Sequence, residues 1–167
     1  MNQAGDRIVV GAPNADADGG ANGDNEGAFL VYEYSGGSWS QLGSAIYGDS
    51  GNDRFGFSTS INNAGDRVFI TSRSGSYAKA YSYNGSAWVQ LGSTITVNST
   101  NNLYGDMNGD GDVIIIGDWE TSSSTGEVKV YQYTSDWGVV SSAIAGGATG
   151  DKFGSNVAIN DQGDYIA

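Results

Sequence analysis

Residues 53–95 read DRFGFSTSINNAGDRVFITSRSGSYAKAYSYNGSAWVQLGSTI. Short segments of alternating apolar and polar residues are separated there by turn chemistry, Asn-Asn-Ala-Gly at 62–65 and Tyr-Asn-Gly-Ser at 83–86. Period-2 alternation punctuated by Asn and Gly marks antiparallel strands joined by tight turns, and no segment carries a helical period. The spacing predicts strands over roughly Gly56 to Ile61, Asp66 to Ser72, Tyr77 to Tyr83 and Trp88 to Ile95. In the third of these, Tyr81 and Tyr83 fall on one face and Ala78, Ala80 and Ser82 on the other. Small residues opposite aromatic ones suit a sheet packed against a neighbour on each side, which makes the tyrosines and tryptophans core residues.

The same unit recurs along the chain. Tyr-x-Tyr pairs stand at Tyr32/Tyr34, Tyr81/Tyr83 and Tyr131/Tyr133, each followed by a tryptophan, Trp39, Trp88 and Trp137. Ile46, Ile95 and Ile144 follow at a constant interval, then Phe55-Gly56, Tyr104-Gly105 and Phe153-Gly154. Asn-x-x-Gly-Asp begins at Asn2, Asn62, Asn108 and Asn160. A repeat of 49 to 50 residues holding four strands is the pattern of a β-propeller blade. The fold class is therefore all-β: blades of four antiparallel strands, about three in this chain, completed by oligomerisation or by flanking blades. Residues 1–167 form one repeat domain, with units at roughly 1–54, 55–103 and 104–152 and a further unit starting at 153–167. The interval from the aromatic-glycine pair to the Gly-Asp turn is three residues shorter at Tyr104 than at Phe55 and Phe153. Either that first strand is shortened or Tyr104 is not the counterpart of Phe55.

Composition narrows the chemistry. The 167 residues contain no cysteine and no histidine, which removes disulfides, thiolate nucleophiles, Ser-His-Asp triads and zinc sites built on either residue. Seven basic against 19 acidic side chains give a formal charge of -12, a field that repels phosphate backbones, so nucleic acid is not an expected partner. No apolar run approaches the ~20 residues of a membrane helix, so no membrane insertion is expected. The 27 glycines and one proline fit a turn-rich β chain.

The stretches DRFGFSTSINNAGDRVFITS, DKFGSNVAINDQGDYIA, AGDRIVVGAP and EGAFLVYEY resemble the FG-GAP repeat of integrin α-subunit propellers and their microbial relatives. Phe55-Gly56 and Phe153-Gly154 stand for FG, and Gly11-Ala12-Pro13 for GAP. Thr71-Ser72-Arg73 and Gly117-Asp118-Trp119 occupy the GAP position of later units. The resemblance implies an extracellular or cell-surface adhesion module presenting loops to a protein or glycan ligand, with calcium as a cofactor and no enzymatic activity. The alternative is a self-assembling homo-oligomer, a ring of about six blades or a fibre, closed by strand exchange between termini. Gly154 to Ile159 supplies the first strand that the opening unit lacks, while Asn160 to Ala167 duplicates Asn2 to Val9, as in a piece of a longer array.

Two acidic groupings are metal candidates. Asp106, Asn108, Asp110 and Asp112 lie at alternate positions around a glycine turn, a spacing of hard oxygens that suits calcium, although Ile114 stands where the family's calcium loops carry a carboxylate. The other reading is a β-hairpin turn, because the turns at Asn62 and Asn160 keep Gly-Asp without the other ligands. The long loop NADADGGANGDNE, residues 14–26, carries Asp16, Asp18, Asp24 and Glu26 and reads as a cation or polar-ligand loop or as a solvated one. Trp119 stands outside the repeat and is a candidate aromatic platform for a sugar or peptide, or filling beside the shortened strand. Asn84-Gly85-Ser86 and Asn98-Ser99-Thr100 match the glycosylation sequon. No catalytic residue is expected, since every carboxylate falls in a turn or loop.

Overall fold

The structure, a computed structural model, describes residues 1–19, 23–97 and 102–167. The sequon at Asn98 lies outside them. Three antiparallel sheets follow one another along the chain. The first holds β1 (Arg7–Ala12), β2 (Ala28–Ser35), β3 (Ser38–Gln41) and β4 (Ile46–Tyr47). The second holds β5 (Phe55–Ile61), β6 (Arg67–Ser72), β7 (Tyr77–Tyr83), β8 (Trp88–Gln90) and β9 (Ile95–Thr96), and the third β10 (Leu103–Met107), β11 (Val113–Asp118), β12 (Glu127–Tyr133), β13 (Trp137–Val139) and β14 (Ile144–Ala145). The fourth strand of each blade is broken in two: β8 pairs with the far half of β7 and β9 with the near half.

The alternation in β7 serves two cores. Tyr77 and Tyr81 pack with Phe29, Val31, Phe55, Val68, Ile70 and Trp88 between the first and second sheets. Ala78 and Ala80 pack with Phe69, Leu103, Ile114, Ile116 and Tyr131 between the second and third. Two tryptophans also tie their blades to the one before: the Nε1–H of Trp88 donates to the Leu42 carbonyl and that of Trp137 to the Leu91 carbonyl, both at 2.8 Å. Where no neighbouring sheet lies, equivalent residues are bare, as Phe55 at 0% and Phe153 at 40% exposure show.

The turns after the first strands are built on one side chain. The Oδ1 of Asn62 accepts the N–H groups of Asp66 and Arg67 at 3.0 and 2.9 Å while its Nδ2–H donates to Asp66, and Asn2, Asn108 and Asn160 repeat the arrangement. These turns are strung together. Gln3 N–H donates to the Asn63 carbonyl, Asn63 N–H to that of Gly109, and Gly109 N–H to that of Asp161, at 3.2, 2.9 and 2.9 Å.

The shortened unit resolves in the register. Phe55 pairs opposite Ser72 and Leu103 opposite Asp118, so Leu103, not Tyr104, takes the place of Phe55. Between Phe55 and Ser58 the ladder of β5 shifts around Gly56 and Phe57, and β10 has no such bulge. Gly56 has φ +88°, and a Cβ there would sit 2.1 Å from the Ala28 carbonyl oxygen. Its own carbonyl presses on Gly11 of the preceding blade, where a Cβ would lie 1.9 Å from it; Gly117 meets Gly154 in the same way at 2.1 Å. Where the following strand has no bulge, Thr71 fills the position and its Oγ1 donates to the Leu103 carbonyl at 2.7 Å.

Candidate functional site

The first strands converge with β1 and the segment before Asn160 on a polar cavity of about 360 Å³, lined among others by Val9, Ser60, Asn63, Asp106 and Asp161. Asp106 pairs opposite Ile115 as Ser60 does opposite Phe69, so the two occupy the same place in successive blades. They meet across the blades: Ser60 Oγ–H donates to Asp106 Oδ1 at 2.7 Å. The N–H of Ile159 donates to Oδ2 at 3.1 Å, and that of Met107 to Oδ1 at 2.9 Å. A half-buried carboxylate is thus fixed at the centre of the blade array by three donors, two of them from other blades.

The remaining candidates of the Asp106 to Asp112 run are committed to the turn that follows, Asn108 at the edge of the same cavity. Asn108 Oδ1 accepts the N–H groups of Asp112 and Val113, and its amide donates to Asp112 Oδ1 at 2.9 Å, as in the other three turns. Asp110 is exposed at the turn. The structure joins Asn108 to Asp112 and sends Asp106 to the cavity, so the four are not gathered around one point.

The long loop does gather acids. One carboxylate oxygen each from Asp16, Asp24 and Glu26 lies within 4.8 Å of the others, a grouping that leaves out Asp18. Asp16 accepts the Asn25 N–H at 2.6 Å and Glu26 that of Ala17 at 3.2 Å. Burial pushes the Asp24 carboxyl above its ordinary range, opposed by a backbone hydrogen bond, and the charges of Glu26, Asp18 and Asp16 push it further. Trp119 is half-buried, and the Lys152 ammonium lies 4.6 Å from its ring centroid, so that ring face already carries a cation.

No family model matches the chain, and no curated protein matches it. Solved structures do. A putative 6-phosphogluconolactonase from Bacteroides uniformis matches with TM-score 0.62 and 12% identity over 99% of this chain and 45% of that one. A putative 6-phosphogluconolactonase from Bacteroides fragilis gives TM-score 0.55 and 13% identity over 86% and 40%. The periplasmic gluconolactonase of Pseudomonas aeruginosa gives 0.57 and 16% over 96% and 46%. The chain therefore spans less than half the length of these proteins.

These findings correct the family expectation. Three of the structures that match are described as lactonases, and the FG-GAP, integrin-like and cell-adhesion reading does not stand. The physical reason is visible in the blades. An aromatic-glycine bulge needs a glycine opposite it on the preceding blade, so Phe55-Gly56 with Gly11, and Phe153-Gly154 with Gly117, follow from close backbone contact within a propeller. The expectation that the protein is a binding module and no enzyme is corrected with it. It rested on placing every carboxylate in a turn or loop, whereas Asp106 lies on β10 and is held over a central cavity. At identities of 12 to 16%, what the solved structures show is the fold, an all-β chain of propeller blades.

Proposed function

We propose that the chain belongs to a propeller lactonase, hydrolysing a polar cyclic ester in the cavity around Asp106. The single observation that carries the reading is that carboxylate, placed on the first strand and held from two neighbouring blades. The likeness to proteins described as gluconolactonases supports the substrate class. A cavity of about 360 Å³ falls within the range that small ligands occupy. In the reaction Asp106 takes a proton from water, and the water oxygen attacks the lactone carbonyl carbon. The ring C–O bond then breaks, and the proton passes to the departing alkoxide to leave a hydroxy acid. The Asn63 amide lining the cavity is the donor that would meet the developing oxyanion. A position outside the cytoplasm, as in the periplasmic Pseudomonas protein, is part of this reading.

The test is acid release from glucono-lactone in a pH-stat, corrected for the spontaneous rate. Asp106→Asn keeps the shape and the Ser60 contact but loses the Ile159 bond, and is expected to lower the catalysed rate by about 10²- to 10⁴-fold in a protein that still unfolds cooperatively, at a somewhat lower melting temperature. A wild-type rate no faster than water alone, or an undiminished Asp106→Asn, would overturn the reading.

A further inference from the structure

A second constellation lies toward the Phe55 end of the same strands. The Gly56 bulge projects Phe57, whose ring meets that of Tyr104 edge-on at 5.2 Å and 60°. The guanidinium of Arg73 lies 5.6 Å from the centroid of Phe57, within cation–π range. Its Nε–H donates to Asn102 Oδ1 at 3.0 Å, and the Asn102 amide donates to Glu120 Oε1 at 2.9 Å. The backbone is pinned as well, Arg73 N–H to the Arg54 carbonyl at 3.2 Å and Asn102 N–H to the Arg73 carbonyl at 2.8 Å. The guanidinium is thereby held at Nε and over one ring, with its terminal nitrogens left to other partners.

What the fork lacks is an anion. Of the seven basic residues, Arg7, Lys79 and Lys129 form ion pairs with Glu33, Asp49 and Glu127. Arg73 forms none, and among the described residues its terminal nitrogens have no hydrogen-bond partner. Arg54, Arg67 and Lys152 form no ion pair among the described residues either, but Arg73 alone of the four is both stacked on a ring and held at Nε by a side chain. Its geometry suits bidentate recognition of a carboxylate or phosphate. Tyr104 stands two residues before Asp106 on β10 and so shares its face, about 7 Å away along the strand. Ring faces flanking a fixed cation, in line with a polar cavity, form a strip that fits a small polyhydroxylated molecule with a charged end.

We infer that Arg73, with Phe57 and Tyr104, is a subsite for the anionic group of a sugar acid or sugar phosphate. The inference rests on the lactonase reading only for what the remainder of that ligand undergoes at Asp106. Its test needs no turnover. The Arg Nε–H resonances and the aromatic protons of the chain would be followed by NMR during titration with inorganic phosphate, with gluconate, and with uncharged glucose. Saturable shifts confined to Arg73, Phe57 and Tyr104 with phosphate, gluconate or both, and none with glucose, are the expected result, and which anion acts identifies its source. Arg73→Gln is expected to weaken the affinity at least about tenfold, and Arg73→Lys, which keeps the charge but not the fork, by less. Lys152→Gln should leave it unchanged. Shifts spread evenly over all basic residues, no shift at all, or binding indifferent to Arg73→Gln in a variant with a native spectrum would overturn the subsite. Binding without lactone hydrolysis would sustain the subsite and sink the lactonase; hydrolysis without binding would do the reverse.

Discussion

Asn62 illustrates how much a single amide does in this fold. It satisfies two backbone N–H groups and anchors Asp66 while 3% exposed, so its removal strands two donors away from water. Asn62→Ala is expected to cost about 2–4 kcal/mol, read from the urea midpoint, and Asn160→Ala, in a more open turn, distinctly less. The Asn-x-x-Gly-Asp signature made this turn legible in the sequence, because side chain and backbone that hydrogen-bond locally need only local order. Tyr77 carries a pH prediction. Its hydroxyl donates to Asp53 Oδ2 at 2.9 Å and accepts the Asp49 N–H at 3.1 Å, and burial raises its pKa well above the ordinary value. The folded value exceeds the unfolded value of about 10, so the contribution is whole below that pH. It is lost as pH rises past it and the unfolded chain ionises first. Melting temperature should therefore fall above about pH 10, less steeply in Tyr77→Phe, with the remainder owed to Tyr81 and Tyr131, which burial shifts the same way.

At the level of the strand, β5 and β10 differ by the Gly56–Phe57 bulge, and that difference was only half readable. Counting residues exposed the shortened unit, but aromatic identity pointed to Tyr104, and only the register opposite Ser72 and Asp118 shows that Leu103 is the counterpart. The split of each fourth strand was likewise beyond reach, because both halves keep the apolar pattern of one strand while the residues between them, as between Gln90 and Ile95, leave the ladder of β7. The central site was legible in part. Asp106 stood out by its spacing with Asn108 and Asp110, yet its role depends on Ser60, 46 residues away in sequence, and on the Ile159 backbone. Arg73 had a faint signal, standing where the first unit has Pro13. The bulge yields a direct test. Gly11→Ala sets a methyl against the Gly56 carbonyl and is expected to cost at least about 3 kcal/mol, whereas Gly138→Ala, with open space around it, should be neutral or gain up to about 1 kcal/mol. Chemical denaturation of the two variants side by side would check both.

Across the whole molecule, a charge of -12 is opposed by three ion pairs among the described residues, two of them at least partly exposed on both partners. Such pairs contribute little, so net self-repulsion dominates and salt should stabilise. Raising ionic strength from about 0.01 M to about 0.15 M shortens the screening length from about 30 to about 8 Å, and the melting temperature is expected to climb over that range. Repetition is what made the architecture readable from sequence, since contacts between blades such as Trp88 with Leu42 and Gly11 with Gly56 are written again at Trp137 with Leu91 and Gly117 with Gly154. The string of hydrogen bonds through Gln3, Asn63, Gly109 and Asp161 has a bearing on ancestry: each turn gives one N–H forward and offers one carbonyl back, so the links are polar and identical. A duplicated or deleted unit of this length would rejoin the string without an orphaned donor. The lineage can thus change its number of blades by copying the cassette, while the unique Asp106 and Arg73 record where individual copies have since diverged.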